Sequence, residues 1–358
     1  MVIKKWVGAR VGLMGNPSDG FGGKTIACLV RNFGAQAILR ESSTVEIVRH
    51  PLYDPLSFSS LEHLEETAAH DGYYGGIRLL YATCSKFHHY CREHGIRLPK
   101  RNFALQYDTN IPRQVGLGGS SAIIAAVLKA LMEFYELSED DIPKPEQPNL
   151  ILSVETDQLG IAAGLQDRVA QTYGGLVYMD FNPEYMEAHG HGYYEYLDMS
   201  ELPPMYLAYS GQPSYSGKMH DIVRHRFEQG DKQVIEAIRR WAAYTDQARE
   251  AIVNRDWRMV SVLMDMNFDL RQQVYGAEYL GRSSLEMINL ARECGLPAKF
   301  AGSGGAVVGL CEDLSSLRKA EQSFTEHGYG FAVLEPADYE TINDAVEVGA
   351  SHGLRVSA

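Results

Sequence analysis

Apolar residues recur at three- and four-residue intervals in several stretches of the chain, a spacing that predicts amphipathic helices. Leu79–His94 carries such a stripe and stops at Gly95, a suitable residue just past a helix end. Ile123, Val127, Ala130, Leu131 and Phe134 mark the buried face of a second helix. Val234, Ile238, Trp241, Thr245, Ala248 and Ile252 trace one face of a long helix, and Val260, Leu263, Met264, Leu270 and Val274 suggest another. Ser284–Glu293 reads as a short helix ended by Gly295, and the apolar run Asn149–Glu155 as one more. Elsewhere the period is two. Phe103, Leu105 and Tyr107 alternate with Ala104, Gln106 and Asp108, a strand with one buried face. It runs into Pro112, which neither a central strand nor a helix interior accepts. Arg10–Met14 and Thr25–Leu39 hold β-branched and apolar residues between glycine-rich turns and read as strands. The first use of all these stripes is core packing.

Strands and helices mix in the first half, whereas the chain from Ser216 onward is mostly helical, which predicts an α+β protein. At 358 residues the chain is too long for one ordinary core. The Pro-rich stretch 201–204 marks the passage between two expected lobes, 1–200 and 201–358. No internal repeat or low-complexity segment interrupts them.

Composition narrows the class. An apolar fraction of 45% with 22% charged residues is that of a soluble globular protein. No apolar run approaches the ~18 residues of a membrane span, and Met1–Trp6 leads into a strand-like stretch rather than a secretory signal. The five cysteines are odd in number and lack paired spacing, so free thiols in a reducing cytoplasm are expected. A net charge of −13 argues against a nucleic-acid partner. An acidic chain that binds an anion must build positive potential locally, from backbone N–H groups, a helix N-terminus, a metal ion and a few arginines.

One stretch fits that recipe. After Pro112, the loop Gly116–Ala122 (GLGGSSA) opens a helix at Ser120. Glycines let backbone approach an anion, and the first-turn N–H groups have no intrahelical partners. A bare tight turn is the plainer alternative. The segment is not a P-loop: the nearest match, Gly22–Thr25, has Ser18 where G-x-x-x-x-G-K-S/T requires glycine. The protein-kinase His-Arg-Asp and Asp-Phe-Gly motifs are absent, as is a G-x-G-x-x-G fingerprint at this turn.

Three segments taken in order change the reading. Gly8–Asp19 (GARVGLMGNPSD), Pro112–Ala122 (PRQVGLGGSSA) and Lys299–Ala306 (KFAGSGGA) resemble the three motifs of the GHMP kinases, across nearly the whole chain. The resemblance implies a two-lobed fold: an N-terminal lobe like ribosomal protein S5 domain 2 and a C-terminal GHMP α+β lobe, with the site between them. It also implies ATP and Mg²⁺, with Gly116, Leu117, Gly118, Gly119, Ser120, Ser121 and Ala122 on the nucleotide. The family loop usually has one glycine fewer before its serines. Counted from Gly116, Ser120 aligns with the serine that reaches Mg²⁺ in relatives; Ser121 is the alternative. Between the motifs, Tyr73–Leu80 (YYGGIRLL), Tyr107–Gln114 (YDTNIPRQ), Ala163–Gln171 (AGLQDRVAQ) and Tyr173–Phe181 (YGGLVYMDF) are similar to the sugar-acid branch, the glucuronokinases. That implies phosphorylation of D-glucuronate at its anomeric hydroxyl, toward UDP-glucuronate. A relative acting on galacturonate, arabinose, fucose or a heptose phosphate is the alternative, and a non-catalytic sugar sensor a more distant one.

Individual residues then take expected roles. Glu155 ends an apolar run, so it is paired, solvated or bound to metal; the family pattern makes it a Mg²⁺ ligand with Ser120. Asp167 is, on sequence alone, a first-turn helix carboxylate or a partner for Arg168. The resemblance makes it the group that takes the attacking hydroxyl's proton, and gives Arg10 the catalytic neutralising charge. Asn16, Asp19, Arg113, Arg168, Gly302, Ser303 and Gly304 are expected on the substrate side. The substrate carboxylate needs a cation, and Arg113, Arg168, Lys24 and Lys218 all sit near motifs. Ser214–His220 resembles a substrate-side loop, with Ser216 as a helix cap. Paired His88–His89 and His189, His220 and His225 lack a common metal spacing. The expected partners are therefore a sugar acid and ATP, with no nucleic acid and no membrane.

Overall fold

The computed structural model describes residues 1–71, 75–211 and 217–339. The β-branched run that read as Thr25–Leu39 extends over Lys24–Ser42. Along one edge it pairs antiparallel with Val2–Met14. Its C-terminal half also pairs with Asn102–Thr109, and its N-terminal end with Leu176–Asp180. Register breaks at Gly8/Ala9 and Gly12/Met14 accommodate the bend this requires. Glu46–Ile47 and Tyr193–Leu197 complete a six-stranded sheet among the described residues. Asn102–Thr109 shows the expected alternation, with Phe103, Leu105 and Tyr107 buried.

Helix Gly119–Phe134 packs against Val2–Met14 and Lys24–Ser42, and is flanked by helices Ile77–Glu93 and Gln166–Tyr173. The predicted stripe is buried, and so is nearly everything else: Ser121 through Leu128 are all buried. Its only charged residues are Lys129 and Glu133, so it behaves as a core helix rather than an amphipathic one. The apolar run expected as one helix to Glu155 is split. Gln147–Ser153 is α-helical, and Val154–Gln158 forms a π turn that rotates Glu155 into the interior.

The chain changes sheets across the Pro203–Pro204 stretch. Met205–Tyr209 lies between Gly330–Leu334 and Ala306–Leu310, with Lys299–Phe300 outermost. Helices Lys232–Val253 and Trp257–Tyr275 bury all the predicted stripe residues and pack on one another. Both also touch the first sheet. Asn267 clamps the two parts: its Oδ1 accepts from Gly15 N at 2.8 Å and its Nδ2 donates to Asn16 O at 3.2 Å. This places the Gly302 loop over the first strand. Tyr73, Tyr74 and Ser214–Ser216, including the expected Ser216 cap, lie outside the described residues, as does the side chain of Lys218.

Candidate active site

The strand Asn102–Thr109 ends before Pro112, and the following loop enters helix Gly119–Phe134 through Gly118 at φ 70°. Only glycine adopts that angle cheaply, and a Cβ there would sit 2.9 Å from Gln171 Nε2 and 3.3 Å from Asp167 Oδ2. No side chain caps the helix, so its first-turn N–H groups are left for a ligand. Gly119 is less constrained: a Cβ there would meet only the Ile111 side chain, at 3.5 Å or more. The two serines part company. Ser120 Oγ donates to Glu155 Oε1 at 2.8 Å, whereas Ser121 Oγ turns back to Gly118 O at 3.0 Å and is fully buried. Ala122 donates its N–H to that same carbonyl. Neither Ser121 nor Ala122 borders the cavities described below, because the helix start folds both into the core.

Two buried ion pairs stand beside the loop. Arg10, on the first strand, pairs with Asp167 and donates to Ala301 O at 2.6 Å and Gly116 O at 3.3 Å. Asp167 occupies the first turn of helix Gln166–Tyr173, where the helix dipole favours a carboxylate. Arg168 pairs with Glu155, donates to Gly164 O at 2.8 Å, and lies 3.5 Å from Asp167. Burial, then the like charge of Arg10, lowers the pKa of Arg168. Arg10 is thus no surface arginine of a strand end, and Glu155, 2% exposed, no solvent-facing glutamate.

A second cluster explains the third motif. Lys299 is 1% exposed and donates to Gly12 O, Asn16 Oδ1 and Phe300 O at 2.5–2.8 Å. Arg271 donates to Gly302 O at 2.9 Å and Ser303 O at 2.8 Å. Carbonyls from Phe300 to Ser303 are therefore turned toward buried cations, while no carbonyl or side chain among the described residues accepts from Ser303 or Gly304 N–H. Burial, followed by the charges of Arg271 and Arg10, pushes the Lys299 amine well below its usual value. A Cβ on Gly302 would lie 2.1 Å from Gly116 O, so the second and third motifs meet backbone to backbone. Sequence reasoning missed the roles of Lys299 and Arg271. The available signal was charge in buried patterns: Lys299 between Ala298 and Phe300, and Arg271 three residues after Phe268 on a buried stripe.

Around these groups lie two cavities. The first, about 370 Å³, is bordered by Tyr53, Leu79, Tyr107, Ile111–Gln114 and Gly116–Ser120. The second, about 480 Å³, is bordered by Arg10, Asn16, Asp19, Phe21, Ile161–Gly164, Arg168, Arg224, Gly302 and Ser303. Both are bordered by Gly116, Ser120, Glu155, Ile161 and Asp167. Of the expected substrate-side residues, Arg113 belongs to the first cavity, stacked 5.4 Å over Tyr53, and not to the second. Asn16 borders the second cavity, but its amide is engaged by Lys299, Phe300 O and Gly302 O. Lys24 is held by Asp246 at 2.8 Å and Asp180 at 3.4 Å and borders neither cavity. The carboxyl of Asp19 is pushed above its usual value by burial and then by the charge of Asp167.

Ser120 and Glu155 offer two hard oxygen donors, the type Mg²⁺ prefers. Among the described residues no group of three or more His, Cys, Asp or Glu side chains gathers for a metal.

Residues 78–175 match the family described as GHMP kinases N terminal domain, and residues 248–330 that described as GHMP kinases C terminal. Glucuronokinase 1 of Arabidopsis thaliana is 46% identical over 322 residues, 90% of this chain and 88% of that protein. A second Arabidopsis protein, probable glucuronokinase 2, is 46% identical over 92% of this chain and 89% of its own length. In fold, the galactokinase of Lactococcus lactis superposes with TM-score 0.71 at 18% identity, covering 94% of each chain. The chain belongs to the GHMP kinases, ATP-dependent sugar and small-molecule kinases. Within that family its similarity to the two glucuronokinases extends over nearly its whole length. No helix among the described residues is long and apolar enough to cross a membrane.

Proposed function

We propose that this kinase transfers the γ-phosphoryl group of ATP to the anomeric hydroxyl of D-glucuronate, giving D-glucuronate 1-phosphate and ADP in the cytoplasm. The observation that carries this reading is the wall shared by the two cavities, where Ser120, Glu155 and Asp167 stand together. A kinase needs two pockets that touch only where phosphorus changes hands. The first cavity, with its glycine loop and apolar border, suits the nucleotide: Gly116–Gly119 and the helix start cradle the phosphates. The second suits a sugar, bordered by Asp19, Arg168, Gly302 and Ser303. The lobes are residues 1–200 and 201–358.

Phosphoryl transfer asks mainly for positioning and charge neutralisation. Asp167, oriented by Arg10 and Arg168, takes the proton of the sugar hydroxyl as its oxygen bonds to the γ-phosphorus. The bond from that phosphorus to the β–γ bridging oxygen breaks, and its electron pair leaves with ADP. Arg10 sits where negative charge would otherwise accumulate beside Asp167 and the loop. Ser120 Oγ and Glu155 would hold Mg²⁺, which when bound supplies charge neutralisation on the phosphates.

An ADP-release screen over uronic acids, neutral sugars and heptose phosphates tests the reading. D-Glucuronate is expected to give the highest kcat/KM. A preference for another substrate class would overturn it.

A further inference from the structure

Every cationic side chain of the second cavity but one is matched within the protein. Arg10 has Asp167 and two carbonyls, and Arg168 has Glu155 and Gly164 O. The exception is Arg224, on helix Gly217–Glu228. Among the described residues no carboxylate, carbonyl or hydroxyl pairs with its guanidinium. Its guanidinium lies over the face of Phe21, 5.8 Å away, beside Gly20 and within electrostatic range of Tyr275, and Phe21 is in turn braced edge-on by Phe227 at 5.1 Å. A Cβ on Gly20 would meet Arg224 Nη2 at 3.6 Å, an ordinary contact. The guanidinium therefore stands on an aromatic platform at the border of the cavity, with no acceptor for its donors among the described residues. In a chain of net charge −13, an arginine that borders a pocket and has no acidic partner among the described residues is conspicuous.

We propose that Arg224 binds the carboxylate of the sugar acid and so sets the preference for uronic acids over neutral hexoses. The inference rests on the proposed function and names the cation it left unassigned. Arg224 borders the second cavity and not the first, which separates it from the nucleotide. A uronic acid carries a carboxylate where the neutral hexose carries a hydroxymethyl group, and a planar guanidinium grips a carboxylate through two parallel bonds. Glu155 and Asp167, on the wall shared with the first cavity, would repel that carboxylate there, which favours the Phe21 side for it.

The test compares wild type, Arg224→Gln and Arg224→Lys on D-glucuronate, D-galacturonate and D-glucose. Loss of a charge-assisted pair predicts that the ratio of uronate to glucose kcat/KM falls roughly 10–100-fold in Arg224→Gln, through KM for the acid. Arg224→Lys is expected to recover part of it, and KM for ATP to stay at the wild-type value. Arg224 is exposed and forms no hydrogen bond or ion pair among the described residues, so equal melting temperatures are expected and separate binding from folding. An unchanged ratio in Arg224→Gln would overturn the proposal while leaving the kinase reading intact, and so would a rise confined to KM for ATP. If wild type takes galacturonate but not glucuronate, only the choice of sugar acid falls, and the ratio is read on galacturonate. If wild type takes neutral sugars and no uronic acid, both readings fall.

Discussion

The two cavities that meet at Ser120 and Asp167 are built in opposite ways. The first is largely the work of one stretch of backbone: a strand, a proline, a glycine loop and a helix start, all between residues 102 and 120. The second is assembled from side chains on six separate segments, carrying Arg10, Asp19, Glu155, Arg168, Arg224 and Ser303. A backbone site tolerates changes of side-chain chemistry but not an added Cβ where two chains touch. A side-chain site tolerates volume but depends on each charge finding its partner.

The largest effect is expected where the backbone site is tightest. Gly118→Val forces a branched side chain into φ 70° and against Gln171 and Asp167. Calorimetry is expected to show no ATP binding while circular dichroism shows the fold retained. Gly119→Ala, whose Cβ meets only Ile111, is expected to keep ATP affinity. Equal behaviour of the two variants would show that the close approach at Gly118 is not what shapes the first cavity.

Next comes the wall they share. Asp167→Asn removes the proposed proton acceptor, and kcat is expected to fall by roughly 10²–10⁴-fold with KM for ATP little changed. The anomeric hydroxyl is more acidic than an ordinary alcohol, which favours the lower end of that range. Steady-state kinetics with saturating ATP decides it; near-normal kcat would make catalysis here positional alone.

The metal pair follows. Glu155→Gln is expected to raise the Mg²⁺ requirement by about tenfold or more, and Ser120→Ala by less. Glu155→Gln also leaves the buried Arg168 with Asp167, 3.5 Å away, as its remaining counter-charge, so a lower melting temperature accompanies it, whereas Ser120→Ala leaves the Arg168–Glu155 pair in place. Mg²⁺ titrations at fixed ATP that match wild type in both variants would remove the assignment.

The smallest effect concerns Asp19. Its carboxyl is held above the usual value, so the fold favours the neutral form. The penalty is absent below the ordinary carboxylate range and grows as pH rises through it toward the folded-state value. Thermal melts are expected to show Asp19→Asn a few degrees more stable than wild type near about pH 7 and equal to it near about pH 3. The reverse order would mean that Arg10 outweighs burial there.

The same contrast decides what was legible in the sequence. The helices of 77–93, 232–253 and 257–275 followed from apolar period, because each buries one face. The glycine loop was legible because its chemistry is contiguous. Ser120 over Ser121 was a matter of counting in the sequence; in the fold, it is a matter of which hydroxyl turns back to Gly118 O. Arg113 and Lys24 were near motifs in sequence yet stand away from the second cavity, since proximity along a chain says little across a sheet. Lys299, Arg271 and Arg224 were missed because their partners lie on other segments. Lys299 reaches Gly12 O from 287 positions away. The π turn at Val154–Gln158 was invisible for a different reason: a one-residue change of helical phase leaves the apolar pattern almost unaltered.

The central claim is that the two cavities bring the γ-phosphate of ATP to the anomeric hydroxyl of a sugar acid. Wild-type protein incubated with D-glucuronate, ATP and Mg²⁺ tests it directly, with the product followed by phosphorus and proton NMR. The account predicts one new phosphomonoester whose phosphorus couples to the anomeric proton, formed mole for mole with ADP. Phosphorus coupled to any other sugar proton, or ADP formed with free phosphate and unaltered glucuronate, would contradict it.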